Sequence, residues 1–240
     1  MKVYFFDTET TGNQPDDRLC QLAIKEEGVA EPLLNELYKP TKPIPPEASA
    51  VHHITNKKVA DKQVFKESER YGEIKALFEA PETIVVAHNA PFDVGMLEAE
   101  DIHPTHVIDT LRVARHLDIE RKHAMYKLQY LRYALDFELD VPAHDAFADV
   151  VTLEALFEHL LAQVMKERSL ERPQALAVMQ ELSDTPLLIH EFNFGKYKGV
   201  TVAEVAATAP DYLRWLLTEK EKNPAGEDDW LYTLRHYLGK

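Results

Sequence analysis

Cysteine is almost absent from this sequence. Cys20 is the only one among 240 residues, so no intrachain disulfide can form and a reducing, cytoplasmic location is expected. Long apolar runs are missing too, and no stretch approaches the roughly 18 residues of a membrane span. The apolar start from Val3 to Phe6 meets an acid at Asp7, too early for a signal peptide. Positive charge is scarce: 27 Lys and Arg face 41 Asp and Glu, a net charge of −14. That balance argues against a protein that coats or scans nucleic acid by charge alone. It leaves room for an enzyme that grips a few nucleotides and neutralises them through bound cations. One stretch runs the other way, with Arg112, Arg115, Arg121, Lys122, Lys127 and Arg132 against only Asp118 and Glu120. A solvated helix face and a phosphate-contacting edge fit it equally well.

What is present is an ordinary globular composition, 45% apolar and 28% charged. It suffices for one domain of about 160–180 residues and a small second one. Residues 2–6 are apolar at consecutive positions and read as a strand buried on both faces. Residues 18–25 and 33–39 read as further strands, and proline-rich 40–46 as a loop. Helix is expected over 56–80, strand over 83–87, and a helix opened by Pro91 runs to about 100. A strand at 106–108 and helices at 110–117, 127–135, 146–168 and 172–182 follow. In the long one, Val150, Leu153, Phe157, Leu160, Leu161 and Val164 recur at helical spacing. This order describes a mixed α/β sheet with helices on its faces. Ser183-Asp184-Thr185-Pro186 is the expected boundary, dividing a domain at 1–183 from a small module at 187–240. The module reads as a strand at 188–194, a tight turn at 195–199, and helices at 202–207, 211–221 and 229–238.

Chemistry concentrates in three segments. In Phe6-Asp7-Thr8-Glu9-Thr10-Thr11-Gly12, two carboxylates stand two apart at the end of a buried strand, so both face one way. Two anions there repel and resist desolvation unless a cation binds between them, which suits a divalent metal with oxygen ligands. An arbitrary D-x-E is more often a polar strand end. In His88-Asn89-Ala90-Pro91-Phe92-Asp93, the acid falls in a first helical turn, where complementing the helix dipole is an equal reading. In His144-Asp145-Ala146-Phe147-Ala148-Asp149, the last acid borders an apolar helix face and needs a partner. His144 can share a site with Asp149 only from the loop before the helix, where it suits a general base. Alone it reads as a surface histidine.

Together, D-x-E-T-x-G, H-N-A-x-F-D and H-x-A-x-x-D in this order resemble the DEDD superfamily of exonucleases, in the branch with a histidine five residues before the last acid. Ala50-Val51-His52-His53-Ile54-Thr55 matches a further element of that family. The stretch from Phe194-Gly195-Lys196-Tyr197-Lys198-Gly199 to Asp211-Tyr212-Leu213-Arg214-Trp215-Leu216 resembles the tail of its exonuclease X branch. The resemblance implies an RNase H-like exonuclease fold, with a mixed sheet flanked by helices and a small α+β C-terminal module. It implies 3′→5′ release of nucleoside 5′-monophosphates from DNA, in repair, with two Mg²⁺ or Mn²⁺ ions. Asp7, Glu9, Asp93 and Asp149 would be the metal ligands and His144 the base. Thr8, Thr10, His52 and Asn89 would border the terminal nucleotide. The implied partner is a DNA 3′ end, single-stranded or duplex. RNA, as for the RNase T type, stays open, as does a partner-recruiting module with minor catalysis. Relatives often carry leucine after the motif glycine. Asn13 and Gln14 stand here, which puts wedging at a duplex end in doubt.

Overall fold

The alternation of the first strand decides the architecture. Strand β1 (Lys2–Thr10) is buried on both faces. Its odd residues Val3 and Phe5 pack with Val150, Leu153 and Phe157, and its even residues Tyr4 and Phe6 with Ile74, Phe78 and Leu97. Phe5 meets Phe157 edge-on at 5.2 Å, and Phe6 meets Phe78 at the same distance. The computed structural model describes residues 1–139 and 146–240. Within Met1–Ser183, one of two compact units, β2 (Leu19–Glu26), β3 (Leu34–Leu37), β4 (Thr83–Ala87) and β5 (Val107–Asp109) complete a five-stranded sheet of order β3-β2-β1-β4-β5. The β3-β2-β1 meander is antiparallel, while β1, β4 and β5 run parallel. Opposite the Glu9–Thr10 step the register shifts, so Glu9 pairs Gln21 and Thr10 pairs Leu19. Irregularities of this kind cluster near sites, where they re-aim the chain.

Helices cover both faces. They are α1 (Pro46–His52), α2 (Asn56–Val59), α3 (Tyr71–Glu79), α4 (Ala90–Ala99), α5 (Thr110–Leu117), α6 (Leu128–Ala134), α7 (Ala146–Arg168) and α8 (Arg172–Asp184). Two departures from the sequence reading have clear causes. The stretch 40–46 does not end in loop: Pro46 opens α1, as proline can at a first helical position. The helix expected over 56–80 breaks in two because Val64 is extended and Gln63 accepts the Lys39 amide, which draws the chain against β3. Phe65 then fills a buried slot between Tyr38 and Tyr71. The basic stretch is not one helix face either. It spans α5, a loop and α6. Arg132 is buried, donating to the Leu139 carbonyl, and Lys122 pairs with Glu120.

The second unit, Asp184–Lys240, contains α9 (Val202–Thr208), α10 (Pro210–Lys222) and α11 (Asp228–Leu238) around Phe192, Val205, Leu213 and Leu234. Thr201 caps α9 in a reciprocal pair with Glu204. The strand expected over 188–194 reduces to a single bridge, Glu191 to Thr201. No helix among the described residues is long and apolar enough to cross a membrane.

Candidate active site

The parity of β1 continues past its apolar half. Asp7 and Glu9 follow Val3 and Phe5 toward α7, while Thr8 follows Tyr4 and Phe6 toward α4. Helix α7 is held against the sheet by Val150, Leu153, Phe157 and Leu161, and this brings Asp149, in its first turn, over the end of β1. One carboxylate oxygen from each of Asp7, Glu9 and Asp149 lies within 4.8 Å of the others. At that spacing each pair repels by on the order of 3 kcal/mol at an effective dielectric of about 20. An all-oxygen, multiply anionic donor set of this kind fits a hard divalent cation, which would cancel the repulsion. Gln129, near the start of α6, donates to Asp149 and holds its carboxylate.

Asp93 stands apart from that group. Its helix follows β4 on the other face of the sheet, and there one Asp93 oxygen accepts both the Thr8 amide (3.0 Å) and the Thr8 hydroxyl (2.6 Å). Burial pushes the Asp93 carboxyl up to about 7, with the Thr8 bonds opposing the shift. The structure therefore brings three of the four sequence-identified acids into one cluster and places the fourth behind Thr8. Asn89 sits at φ 67°, ψ 48°, the left-handed turn that swings β4 into α4; asparagine tolerates it better than most residues. Asn89 is exposed, and its main-chain N–H donates to Asp109 Oδ1 at 2.9 Å. Asp109 also caps α5 through Leu111, the N-cap role its position suggests.

Thr8 is buried and committed to Asp93, and the Thr10 hydroxyl donates to the Gly12 carbonyl at 2.8 Å. His52 ends α1 with both ring nitrogens in use. Nδ1 accepts the Ile54 amide at 3.0 Å, so Nε2 carries the proton and donates to the Thr10 carbonyl at 3.1 Å. Burial lowers the His52 pKa, which favours this neutral ring. His52 thus ties α1 to the end of β1. Between them opens a groove of about 370 Å³, lined by Thr8 to Asn13 and by Pro45, Ala48, Val51 and Phe92. One wall is the segment 8–13 with the Glu9 side chain, and the other is mostly apolar, with Glu47 and His52 as its polar members. Asn13 and Gln14 at its rim hydrogen-bond to each other at 2.7 Å. His144 lies outside the described residues.

Asp17, Lys42, Lys25 and Glu154 support the site without any mark in the sequence motifs, and the first two explain the motif glycine. Gly12, at φ 153°, leaves room for the Asp17 carboxylate, which an added Cβ would meet at 2.5 Å. Asp17 accepts from Thr11 (2.6 Å) and the Gln14 amide (2.7 Å) and pairs with Lys42 (2.8 Å). Lys42 first, then Thr11 and Gln14, hold its carboxyl down to about 2. Buried Lys25 on β2 pairs at 2.5 Å with Glu154 on α7, whose other oxygen accepts the Gly28 amide. No local pattern marks either set, because each joins residues distant in sequence or closes a single loop.

Comparison with known proteins agrees with this geometry. A family model described as exonuclease (RNase T) matches residues 4–157, and one described as exodeoxyribonuclease X-like C-terminal matches 192–221. Exodeoxyribonuclease 10 of Escherichia coli (strain K12) is 31% identical over 238 residues, 97% of this chain and 96% of that protein. DNA polymerase III subunit epsilon of Treponema pallidum is 34% identical over 175 residues, 68% of this chain and 77% of that one. The solved structure of exonuclease X in complex with 5′ overhanging duplex DNA superposes with a TM-score of 0.54 at 24% identity, over 75% of this chain and 99% of that one, which establishes the fold.

Proposed function

We propose that this chain, which belongs to the exonuclease family, is a metal-dependent 3′→5′ exodeoxyribonuclease that releases nucleoside 5′-monophosphates from DNA 3′ ends in repair. One observation carries the reading: the cluster of Asp7, Glu9 and Asp149, whose Glu9 also lines a groove of about 370 Å³. Asp7, Glu9 and Asp149 would hold two divalent cations, Mg²⁺ or Mn²⁺, with Asp93, fixed by Thr8, as the fourth acid of the set. When bound, the cations stabilise the attacking and leaving oxygens of the displacement together.

The chain's own residues supply the rest. The apolar wall of Ala48, Val51 and Phe92 takes the face of the terminal base, and the main chain of Thr8–Thr10 borders its sugar. His52 keeps that main chain in place without bearing charge. Gln129 orients Asp149. His144 is the base that takes the proton of the attacking water, by its place in the motif. DNA is the substrate class of the relative that matches almost the full chain, exodeoxyribonuclease 10.

The test is degradation of matched 5′-labelled DNA and RNA strands, single and duplex, with Mg²⁺ and with chelator. Stepwise shortening of DNA from the 3′ end, stopped by chelator, is the expected result. Faster shortening of RNA would transfer the reading to an exoribonuclease.

A further inference from the structure

In the small C-terminal unit an aromatic row runs from half-buried Tyr197 and Tyr212, which pack on the core, out to a ring left in solvent. Trp215 on α10 is 54% exposed, unusual for the largest apolar side chain. Its ring lies 5.4 Å from Tyr212, tilted by 39°, and Tyr212 lies 4.7 Å from Tyr197. The Lys196 ammonium stands 5.0 Å over the Tyr197 ring. Lys196, Tyr197, Tyr212 and Trp215 therefore form one continuous strip, a cation followed by three rings. The turn 195–199 that presents Lys196 and Lys198 is fastened by the Gly199 amide to the Phe192 carbonyl at 2.8 Å and by the Val200 amide to the Tyr197 carbonyl at 2.9 Å.

Charge singles out the same strip. In this unit Arg214 pairs with Asp211, Lys220 with Glu227, Lys222 with Glu219 and Arg235 with Glu221. Apart from the last residue, Lys240, only Lys196 and Lys198 among the described lysines and arginines of this unit have no carboxylate partner, although the whole chain is strongly acidic. An exposed indole backed by two half-buried tyrosines, with ammonium groups that lack carboxylate partners beside them, suits a ligand with π-faces and regularly spaced negative charge.

We propose that Trp215, with Tyr212 and Tyr197 behind it and Lys196 and Lys198 beside it, forms a stacking platform for single-stranded nucleic acid on the second unit. It rests on the nuclease reading only for its purpose, which is to retain the strand whose end is being trimmed. Stacking tolerates any base, so the platform holds without reading sequence. A second contact on the same chain raises the effective concentration of the strand without improving the catalytic site.

The experiment uses the full chain with chelator, so that nothing is hydrolysed, and a labelled oligothymidylate of about 16 nucleotides. Binding is expected to quench tryptophan fluorescence, and Trp215→Ala to weaken affinity by about 5- to 100-fold while removing most of the quenching. Lys196→Gln with Lys198→Gln should flatten the plot of log affinity against log salt by about 1.4, two phosphate contacts' worth. Hydrolysis of a dinucleotide with Mg²⁺, which depends on the acidic cluster alone, should match wild type in both variants. Because all three residues are exposed, these variants keep the fold. Unchanged oligonucleotide affinity in both variants overturns the platform. So does quenching by a proline-rich peptide with none by the oligonucleotide, which would assign the strip to a protein partner. An inactive wild type with Trp215-dependent binding would support the platform and refute the nuclease reading.

Discussion

At Gly12 a single hydrogen decides whether the motif loop closes. A methyl group there would sit 2.5 Å from Asp17 Oδ2, at a φ of 153° that side chains avoid. Gly12→Ala is expected to cost on the order of 1–3 kcal/mol of stability by denaturant titration, through strain and the displaced carboxylate. Asp17 itself makes a pH prediction. Its folded pKa is depressed to about 2, below an ordinary unfolded value of about 3.9, so its contribution is present above the unfolded value and lost as pH falls toward 2. The stability gap between wild type and Asp17→Asn should therefore narrow between about pH 4 and 2; a constant gap would show that the carboxylate's charge is not what holds the loop. His52 makes the opposite kind of prediction. Its folded pKa is lowered by burial, so the unfolded chain takes up a proton first and stability falls as pH drops below the ordinary histidine value. His88 and His159 shift in the same direction, also by burial, so the comparison must be between wild type and His52→Gln. The stability loss on going below about pH 6.5 should be smaller in the variant. These residues were partly legible in the sequence. Gly12 and His52 stand in motifs, but their jobs depend on Asp17 and on Thr10 and Ile54, which no motif names together.

Among the elements, β1 and α7 matter most, and both could be read in advance from their apolar residues. The strand is apolar at every position from Val3 to Phe6, and the helix repeats its apolar residues at helical spacing over about six turns. Parity along β1 also explains the one place where four acids became three plus one. Asp7 and Glu9 are odd and face α7; Asp93 belongs to a helix on the even side and meets Thr8. Shorter elements were harder. The helix α1 hides behind prolines, and the break after α2 comes from tertiary packing of Phe65, which local pattern does not contain. The Lys25–Glu154 pair was invisible for the same reason, yet it pins α7 to the hairpin that carries the acids. Glu154→Ala leaves a buried ammonium unpaired and should destabilise the chain by about 3–5 kcal/mol. It should also weaken Mn²⁺ binding by calorimetry, because Asp149 shares that helix. Unaltered stability and Mn²⁺ affinity together would mean the pair does not position α7.

For the whole molecule, the net charge of −14 and the proposed DNA substrate look opposed. They are reconciled if cations at the acid cluster and a few lysines elsewhere do the work of a basic surface. Two consequences follow. Activity should depend steeply on divalent cation, and loss of a proton-transfer group should be separable from loss of a ligand. His144→Ala is expected to keep Mn²⁺ affinity while losing about 10²–10⁴ in turnover, and the deficit should shrink as pH rises and hydroxide takes over. Equal turnover at neutral pH would make His144 a bystander.

The most direct test of the central claim is the rate at which purified Asp7→Ala shortens a 5′-labelled DNA strand from its 3′ end at saturating Mg²⁺. Asp7 belongs to a repulsive cluster, so its removal should leave the fold intact, as circular dichroism would report, while the rate falls below detection. A folded Asp7→Ala protein that shortens the strand at a near-normal rate would contradict the account, because hydrolysis would then not run through these carboxylates.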